Sequence, residues 1–466
     1  MRVLFVSHDF LPRHSAGTEV YTWQLARRLS ERGHDVHVFT TEKDVSRADG
    51  SLVRRSFDGI PVHELTNNLF YEDFRETYDW PPAARTFSAL LDELRPDVVH
   101  FMHLLYLSVE CVELAASRGV PLVFTLHDYW LQCARFGQRI HADGTVCHEI
   151  DFARCGTCLA RTKLAQTPLE RRTARALAAL RRASGLDLTR AARGAAGLFS
   201  ASRKGAPAEP PLEREEELAV AMARREEELR ERLLPAVDRF LAPSRFLFDA
   251  FEAWGVPSGR LEHVPYGIDL EPFEGLERRP GDTLRVRFLG TLAPHKAPHV
   301  LLEAWDLLPA GLRAEASLSL HGSRAHFPSY VARCEALEAQ VGAAEGGEVS
   351  REGVPGLLAA TDVLVVPSIW YENSPLVIHE ALAARTPLVV SDLGGMAELV
   401  TPDHDGWRFA AGDARDLARV LRAVLSDPER LAALPFDATR PKDMRVAAAD
   451  MEQTYEALVA RRGGGS

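Results

Sequence analysis

The sequence predicts an α/β protein of two Rossmann-like, doubly wound domains that face a cleft. Three observations lead to this prediction. Short β-branched runs alternate with helical patterns, as in parallel sheets covered by helices. The alternation stops and begins again after the stretch HVPYGID at 263–269. The chain of 466 residues is also too long for one ordinary hydrophobic core.

The first domain is predicted to span residues 1–266. Its expected strands are the runs RVLFVSH, DVHVFT, DVVHFM, PLVFTL and VDRFLAPS. Between the first two runs, residues 18–32 carry four large apolar side chains and predict a helix. Ligands of such sheets bind beyond the carboxyl ends of the strands, so motifs that directly follow a strand are site candidates.

An insertion from about 133 to 235 interrupts this domain and holds four of the six cysteines. They follow the spacing C-x13-C-x7-C-x2-C, at Cys133, Cys147, Cys155 and Cys158. In a cytoplasmic protein this spacing favours a metal site over disulfides, and we predict a closed tetrahedral zinc site with four thiolate ligands. An iron–sulfur cluster and unmetallated thiols are the alternatives. His141 and His148 are substitute ligands, whereas Cys111 and Cys334 are predicted core thiols.

The insertion continues with an unusually basic segment. Residues 159–204 carry 11 basic and two acidic side chains in a chain of net charge -11. The helical run LERRTARALAALRRA suits anionic lipid or a polyprenyl-diphosphate acceptor, and a solvated helical insertion is the alternative. The following run EREEELAVAMARREEELRERLL predicts a helix that packs on the domain or on a second copy. Its apolar stripe consists of Leu218, Met222, Leu229 and Leu233.

The second domain is predicted to span 267–442. Its expected strands are LRVRFLG, ASLSLHG, DVLVVPS and PLVVSD. The loop IWYENSP leads from the third strand into a helix with Ser374 as N-cap and Pro375 at the first helical position. Backbone N–H groups of that first turn form an anion site suited to phosphate. Glu372 precedes the helix and Glu380 lies within it. Buried carboxylates are costly unless paired, so these two acids either have protein partners or await a ligand.

Composition narrows the function classes. With 46% hydrophobic and 26% charged residues the chain is typical of soluble globular proteins. We find no run of about 18 apolar residues and no signal-peptide pattern in MRVLFVSHDF, so we expect a cytoplasmic protein. The negative charge argues against nucleic-acid binding. The D-x-D sequence at 403–405 is interpreted as a turn and not as a metal motif.

The chain resembles the GT-B glycosyltransferases of family 4, a large retaining group that includes sucrose synthases and many bacterial cell-envelope mannosyl- and glucosyltransferases. Four motifs carry the resemblance. They are the E-x7-E pair Glu372 and Glu380 in ENSPLVIHEALA, Gly290 to Lys296 in FLGTLAPHK, His127 in TLHD, and Gly17 in SAGTE. The cysteines resemble a HDYW-linked cluster seen in part of that family.

The resemblance implies roles for these residues. Glu380 would hold the ribose hydroxyls of a nucleotide sugar, and Glu372 would contact the donor sugar near its C3 hydroxyl. Lys296 would stabilise the charge that develops on the departing diphosphate. The other implied donor-binding residues are Gly17, Gly290, Asn373, Ser374, Pro375 and Leu376. For Gly17, a glycine that merely begins the helix is the alternative.

By the same resemblance His127 touches the donor sugar and the reaction centre. Asp128, the next residue, could orient its imidazole. His103, which follows the strand DVVHFM, is a second candidate for that role.

One position departs from the family pattern. Thr291 stands where the family usually has an arginine, five residues before the lysine. Arg351 or Arg13 could supply the missing charge. The resemblance also implies that a final helix, 443–461, returns to the first domain and couples the two domains during cleft closure.

The expected function is therefore a retaining transfer of a hexosyl unit from a UDP- or GDP-sugar to a glycan, lipid-linked or small-molecule acceptor, in cell-envelope or exopolysaccharide biosynthesis. No catalytic metal and no protein base are expected, because the departing phosphate oxygen takes the acceptor's proton. The protein could meet the inner face of the membrane through 159–204. The alternatives are a non-catalytic GT-B scaffold or sensor and a metal-dependent interaction module built on the cysteine insertion.

Overall fold

A computed structural model describes residues 1–184, 210–278, 281, 283–438 and 440–463. Its strands form an eight-stranded sheet from the first half of the chain and a five-stranded sheet from the second half. Helices separate most of the strands in both halves. The prediction of an α/β protein with two Rossmann-like domains is confirmed. The domain limits at 266 and 442 stay predictions.

The first sheet is parallel apart from one edge strand. Its order is β3-β4-β2-β1-β5-β6-β7-β8, and β3 pairs with β4 in antiparallel fashion. The strands are β1 Arg2–Val6, β2 Asp35–Glu42, β3 Leu52–Phe57, β4 Ile60–Thr66, β5 Val98–Phe101, β6 Leu122–Thr125, β7 Arg239–Ala242 and β8 Leu261–His263. The central strands are buried runs because helices cover both faces of the sheet.

Successive residues of β1 point into two different cores. Leu4 and Val6 pack with the helices of one face, whereas Val3 and Phe5 pack with those of the other face. The first face carries α2 Pro81–Leu94, α3 Glu110–Ser117 and α7 Arg245–Ala253. The second carries α1 Gly17–Glu31 and α16 Met444–Gly463. This two-sided packing fixes the direction in which the carboxyl ends of the strands open.

The insertion between β6 and β7 is mostly helical. It contains α4 Phe152–Ala160, α5 Pro168–Ser184 and α6 Leu212–Ala236. Leu229 and Leu233 of α6 lie in the core of the first domain, and Met222 packs on Ala134 and Leu159. The apolar stripe of α6 therefore packs on its own domain.

Helix α4 crosses α6 closely. A side chain at Gly156 would bring its Cβ within 2.1 Å of the Glu215 carbonyl oxygen, so only glycine permits this approach. Part of the basic segment, 185–204, lies outside the described residues. Within the described part of the chain, no helix is both long and apolar enough to cross a bilayer.

The second sheet is parallel throughout, in the order β11-β10-β12-β13-β14. Its strands are β10 Leu284–Leu289, β11 Ala316–His321, β12 Val363–Val366, β13 Leu388–Ser391 and β14 Gly406–Phe409. Its helices are α8 Pro298–Asp306, α9 Ala310–Ala314, α10 Pro328–Val341, α11 Val354–Ala359, α12 Leu376–Ala383, α13 Gly394–Leu399, α14 Ala414–Leu425 and α15 Pro428–Ala432. Cys111 and Cys334 are buried in the first and second cores, as predicted.

Two short strands join the domains. Strand β9 (Gly267–Ile268) pairs in parallel with β15 (Lys442–Asp443), which leads directly into α16. The hydroxyl of Tyr455 lies 2.6 Å from Nδ1 of His100 in the first domain. Helix α16 thus packs on the first sheet.

Candidate active site

The loop between β12 and α12 is buried and carries most of the predicted site. Helix α12 begins at Leu376, with Pro375 in the capping position and no side-chain cap. The Ser374 hydroxyl instead bonds to Nε2 of His379 at 2.7 Å. The prediction that Ser374 caps the helix is therefore wrong, because Pro375 keeps an extended ψ of 122° and delays the helix by one residue.

Glu372 and Lys296 form a buried ion pair at the carboxyl ends of two neighbouring strands, β12 and β10. The ammonium Nζ of Lys296 lies 2.5 Å from Oε1 of Glu372, and the Ser368 hydroxyl donates to the same oxygen at 3.0 Å. Burial alone would raise the pKa of Glu372, but Lys296 outweighs burial and holds that pKa below its usual value. The carboxylate is therefore ionised and paired.

Glycines let the surrounding loops approach this pair. A Cβ at Gly322, where φ is 135°, would lie 2.0 Å from the carbonyl oxygen of Gly290. A Cβ at Gly395 would lie 1.5 Å from the carbonyl oxygen of Asn373. Sequence reasoning singled out Gly290 but missed Gly395, although the Gly-Gly pair directly after the strand PLVVSD was an available signal.

Glu380 lies on α12 with its carboxyl half-buried. Within the described part of the chain, no hydrogen-bond donor or ion-pair partner reaches this carboxylate. Burial raises the pKa of Glu380 to about 7, and the charge of Arg351 opposes this shift. Arg351 itself stacks over the ring of Trp23 on α1, at 4.7 Å from the centroid. Of the two acids, Glu372 therefore has a protein partner, whereas Glu380 has unsatisfied hydrogen-bonding capacity among the described residues.

His127 is held at the carboxyl end of β6. Its Nδ1 bonds to the Tyr266 hydroxyl, and its Nε2 is buried without a partner among the described residues. Burial, together with His103, His100 and His8, lowers the pKa of His127 well below its usual value. The imidazole is neutral, with one nitrogen free for a ligand.

Asn373 connects the two predicted motifs across the domains. Its side-chain amide donates to the carbonyl oxygens of Leu126 at 3.1 Å and His127 at 3.3 Å. Its Oδ1 accepts a hydrogen bond of 2.7 Å from the Ser244 hydroxyl. The loops TLHD and YENSP, 246 residues apart, therefore form one site.

Other candidates lie elsewhere. Asp128 bonds to Nε2 of His103 at 3.1 Å and not to His127, so its expected orienting role is wrong. Gly17 begins α1 with open space around its Cα. Arg13 is held by Glu42 and Glu64 at the first sheet.

Two family models match the chain, one in each half. The model described as Glycosyltransferase Family 4 matches residues 15–187, and the model described as Glycosyl transferases group 1 matches residues 275–436. Together they account for more than two thirds of the chain. The chain belongs to the GT-B glycosyltransferases of family 4, group 1. The second match includes Lys296, Glu372 and Glu380.

Curated relatives agree with this family. The chain is 31% identical over 254 residues to a D-inositol 3-phosphate glycosyltransferase of Xylanimonas cellulosilytica, a match that covers 50% of this chain and 60% of that protein. It is 29% identical over 222 residues to the MMP alpha-(1->4)-mannosyltransferase of Mycolicibacterium hassiacum, covering 46% of this chain and 52% of that protein. The chain thus spans between half and two thirds of these relatives.

Solved structures show the same GT-B fold. Sucrose-phosphate synthase from Thermosynechococcus elongatus aligns with a TM-score of 0.63 at 18% identity, covering 99% of both chains. HepE from Anabaena, solved in complex with UDP-glucose, aligns with a TM-score of 0.59 at 17% identity, covering 98% of this chain and 100% of that chain.

In this GT-B chain the cysteine insertion touches the loop between β12 and α12. Nδ1 of His148 lies 2.5 Å from the Tyr371 hydroxyl. The Arg139 guanidinium stacks on Tyr371 at 5.9 Å and donates to the backbone carbonyl of His148 at 2.6 Å. Sequence reasoning missed this contact, which places the insertion next to Glu372.

The predicted zinc ligands share one region of the insertion. All are free thiols, and Cys158 Sγ lies 3.7 Å from Nδ1 of His141. Burial and the neighbouring thiols raise the pKa of Cys155 to about 12. Within the described part of the chain, only His8, Asp9 and Glu19 bring three potential ligand atoms within 4.8 Å of one another. No three of the described thiols therefore lie within 4.8 Å of one another, whereas ligands of a tetrahedral zinc site stand roughly 3.8 Å apart, and the zinc site stays a prediction.

Proposed function

We propose that this chain is a retaining glycosyltransferase that moves a hexosyl unit from a UDP- or GDP-sugar to a glycan, lipid-linked or small-molecule acceptor. One observation carries the proposal. Glu380, which has no partner among the described residues, lies on the helix that follows β12, and Asn373 joins the two halves. Lys296, Glu372 and the neutral His127 lie in loops at the carboxyl ends of strands. Such an edge is where ligands of doubly wound sheets bind.

Glu380 would receive the ribose of the donor. Its carboxyl group has no partner in the described part of the chain, so two vicinal hydroxyls can occupy its free acceptor positions. A ligand that bonds to the charged form repays part of the cost of burying a carboxylate. Gly17, Gly290, Ser374, Pro375 and Leu376 are proposed to approach the diphosphate and sugar through their backbone.

Lys296 would stabilise the leaving group. Its ammonium has three N–H donors, and Glu372 engages Nζ at 2.5 Å. The remaining donors can bind a diphosphate oxygen. As the bond between C1 of the sugar and the diphosphate oxygen breaks, its electron pair passes to that oxygen, so a fixed cation there lowers the barrier.

Retention follows if attack and departure share one face of the sugar. The acceptor oxygen forms the new bond to C1, and its proton passes to the departing phosphate oxygen. His127, which is neutral, would contact the sugar through Nε2 and not act as a base. Glu372 would hold the sugar near its C3 hydroxyl.

Arg135 is our candidate for the charge that Thr291 does not provide. It belongs to the insertion and lies near His295, the residue before Lys296: burial is the main cause that lowers the pKa of His295, and the charges of Lys296 and then Arg135 add to it. Its Nη1 atom donates to the carbonyl oxygens of Ile140 and His141 at 2.6 and 2.7 Å, which fixes the guanidinium. Arg351 instead faces Glu380.

The remaining parts of the proposal concern the setting. We place the protein in the cytoplasm, in cell-envelope or exopolysaccharide biosynthesis, with α5 facing anionic lipid at the inner membrane. This helix carries basic side chains together with Leu169, which is 74% exposed. Cys133, Cys147, Cys155 and Cys158 are proposed to hold a structural zinc that steadies the loop next to Tyr371.

The test is donor binding and hydrolysis across UDP-, GDP-, ADP- and dTDP-sugars, with Glu380→Ala and Lys296→Ala beside the wild type. We expect one donor to bind and be slowly hydrolysed. Glu380→Ala should lose donor binding, and Lys296→Ala should lose hydrolysis. No binding of any donor would overturn the proposal. The presence of Thr291 favours a second candidate, a non-catalytic scaffold, for which donor binding would persist without transfer or hydrolysis.

A further inference from the structure

A second polar cluster lies on the first domain, at the same sheet edge as His127. His8 and Asp9 directly follow β1, and Glu19 lies in the first turn of α1. Nε2 of His8 is 3.3 Å from Oε1 of Glu19 and 3.9 Å from Oδ2 of Asp9. Sequence reasoning did not single out these residues, although the run SHD after a strand was an available signal.

Glu19 is the unusual member of this cluster. Its side chain is nearly inaccessible, with the residue 2% exposed, and its Oε2 has no hydrogen-bond partner among the described residues. A buried carboxylate oxygen without a donor costs free energy on the order of 1–3 kcal/mol. Something other than the described protein groups is therefore needed to satisfy it.

No arginine of the described chain neutralises this cluster. Arg13 forms ion pairs with Glu42 and Glu64, and Arg55 forms a second ion pair with Glu64 at 2.7 Å. Among the described residues, Asp9 and Glu19 make ion contacts with histidines alone. Both carboxylates thus lie near the His8 imidazole, and no arginine or lysine of the described chain pairs with them.

The distances discriminate between two kinds of cation. Ligand atoms about 2.1 Å from a metal ion stand roughly 3.0–4.2 Å apart, depending on the geometry. Acceptors about 2.8 Å from an ammonium group, arranged tetrahedrally, stand roughly 4.6 Å apart. The two distances from His8, 3.3 and 3.9 Å, lie in the range for a metal ion, and all three ligand atoms lie within 4.8 Å of one another.

We infer that His8, Asp9 and Glu19 form a binding site for a divalent first-row metal ion. One imidazole nitrogen and two carboxylate oxygens form a donor set that suits Mn²⁺ or Zn²⁺. The ion supplies the positive charge that the two carboxylates lack. Its place on the acceptor half of the cleft separates it from the leaving group next to Lys296, and the inference does not depend on the proposed transfer reaction.

The test is a titration of the metal-free full chain with Mn²⁺, in which electron paramagnetic resonance measures the bound ion. Mn²⁺ is chosen because thiolates prefer softer metals, so the cysteines of the insertion stay silent. We expect one saturable site in the wild type. Glu19→Gln and Asp9→Asn should weaken binding by at least about tenfold. Glu42→Gln, a carboxylate on the neighbouring strand, is the matched control and should bind as the wild type does.

Wild-type protein that binds no Mn²⁺ at millimolar concentration would overturn the inference. Equal binding by the wild type and both cluster variants would overturn it too, because the ion would then lie elsewhere. Since Glu19 is buried, the Tm of each variant is measured first. If Glu19→Gln does not fold, Asp9→Asn, at a partly exposed position, decides the question.

Discussion

The side-chain amide of Asn373 donates to the backbone carbonyl of His127 at 3.3 Å. This contact joins the loop after β12 in the second domain to the loop after β6 in the first. Asn373 lies directly next to Glu372, which pairs with Lys296. The position of the loop between β12 and α12 therefore depends on the first domain.

Replacing Lys296 by alanine should lower kcat by about 10²–10³-fold, the usual cost of removing one group that stabilises developing negative charge. KM for the donor should change less, because the effect is largest in the transition state. Lys163→Ala, at an exposed lysine paired with Glu170, is the control and should keep wild-type kinetics. An unchanged kcat in Lys296→Ala would remove this residue from the mechanism.

Glu380 should make the stability of the donor-free protein depend on pH. Its folded pKa of about 7 lies above the unfolded value, so the native state binds more protons between these values and stability falls as pH rises through the folded pKa. The Tm of the wild type should drop between pH 5 and 8 more than that of Glu380→Gln, by differential scanning fluorimetry. Glu352→Gln, at an exposed position, should follow the wild type. Parallel profiles for all three proteins would contradict the assignment.

Asn373→Ala should loosen the junction of the domains. It leaves two buried carbonyl oxygens and the Ser244 hydroxyl without this partner, at a cost of about 1–3 kcal/mol in the free energy of unfolding. Donor KM should rise as well. Asn68→Ala removes another buried amide, bonded to Asp49 within the first domain, and should cost stability without a change in KM. Equal donor KM in both variants would mean that the contacts of Asn373 with the first domain do not position the loop between β12 and α12.

Arg135→Gln should lower kcat by about tenfold if this residue supplies the charge missing at Thr291. Steady-state kinetics of the double variant Thr291→Arg/Arg135→Gln give the sharper comparison. We expect the added arginine to restore much of the lost rate. A double variant no faster than Arg135→Gln would exclude this compensation.

Cys155→Ser/Cys158→Ser should abolish one equivalent of bound zinc, measured by elemental analysis of the purified protein. Both cysteines lie one turn apart on α4, so the pair removes half of the ligand set. Cys334→Ser, a buried thiol in the second domain, is the control and should keep the metal. Wild-type protein that contains no zinc after growth with added zinc would contradict the zinc prediction.

The sequence predicted the parts of the fold that depend on local pattern. Parallel strands buried on both faces read as continuous β-branched runs, so both sheets were predictable. The hairpin of β3 and β4 was missed, although Asp58 and Gly59 between two alternating runs are a standard hairpin turn, with φ of 51° and 79°. Only the central strands of the sheets have the continuous β-branched runs that predict a strand clearly.

The candidate site was predictable where residues follow strands, and not where it depends on contacts between distant segments. Lys296, Glu372 and His127 each stand at a strand end. The bond from His148 to Tyr371 joins residues 223 positions apart, so no local sequence pattern predicts it. The partner of Ser374 likewise could not be predicted, because capping and a bond to His379 compete for one hydroxyl.

The pairing of β9 with β15 means that the chain leaves the first domain and re-enters it at one place. The second domain is thus inserted between two segments of the first domain and is connected to them through two adjacent strands. A fragment that ends before Met444 would lack the helix whose Met444, Ala448 and Tyr455 cover apolar side chains of the first domain. The two halves therefore cannot be expressed as independent proteins without an exposed apolar face.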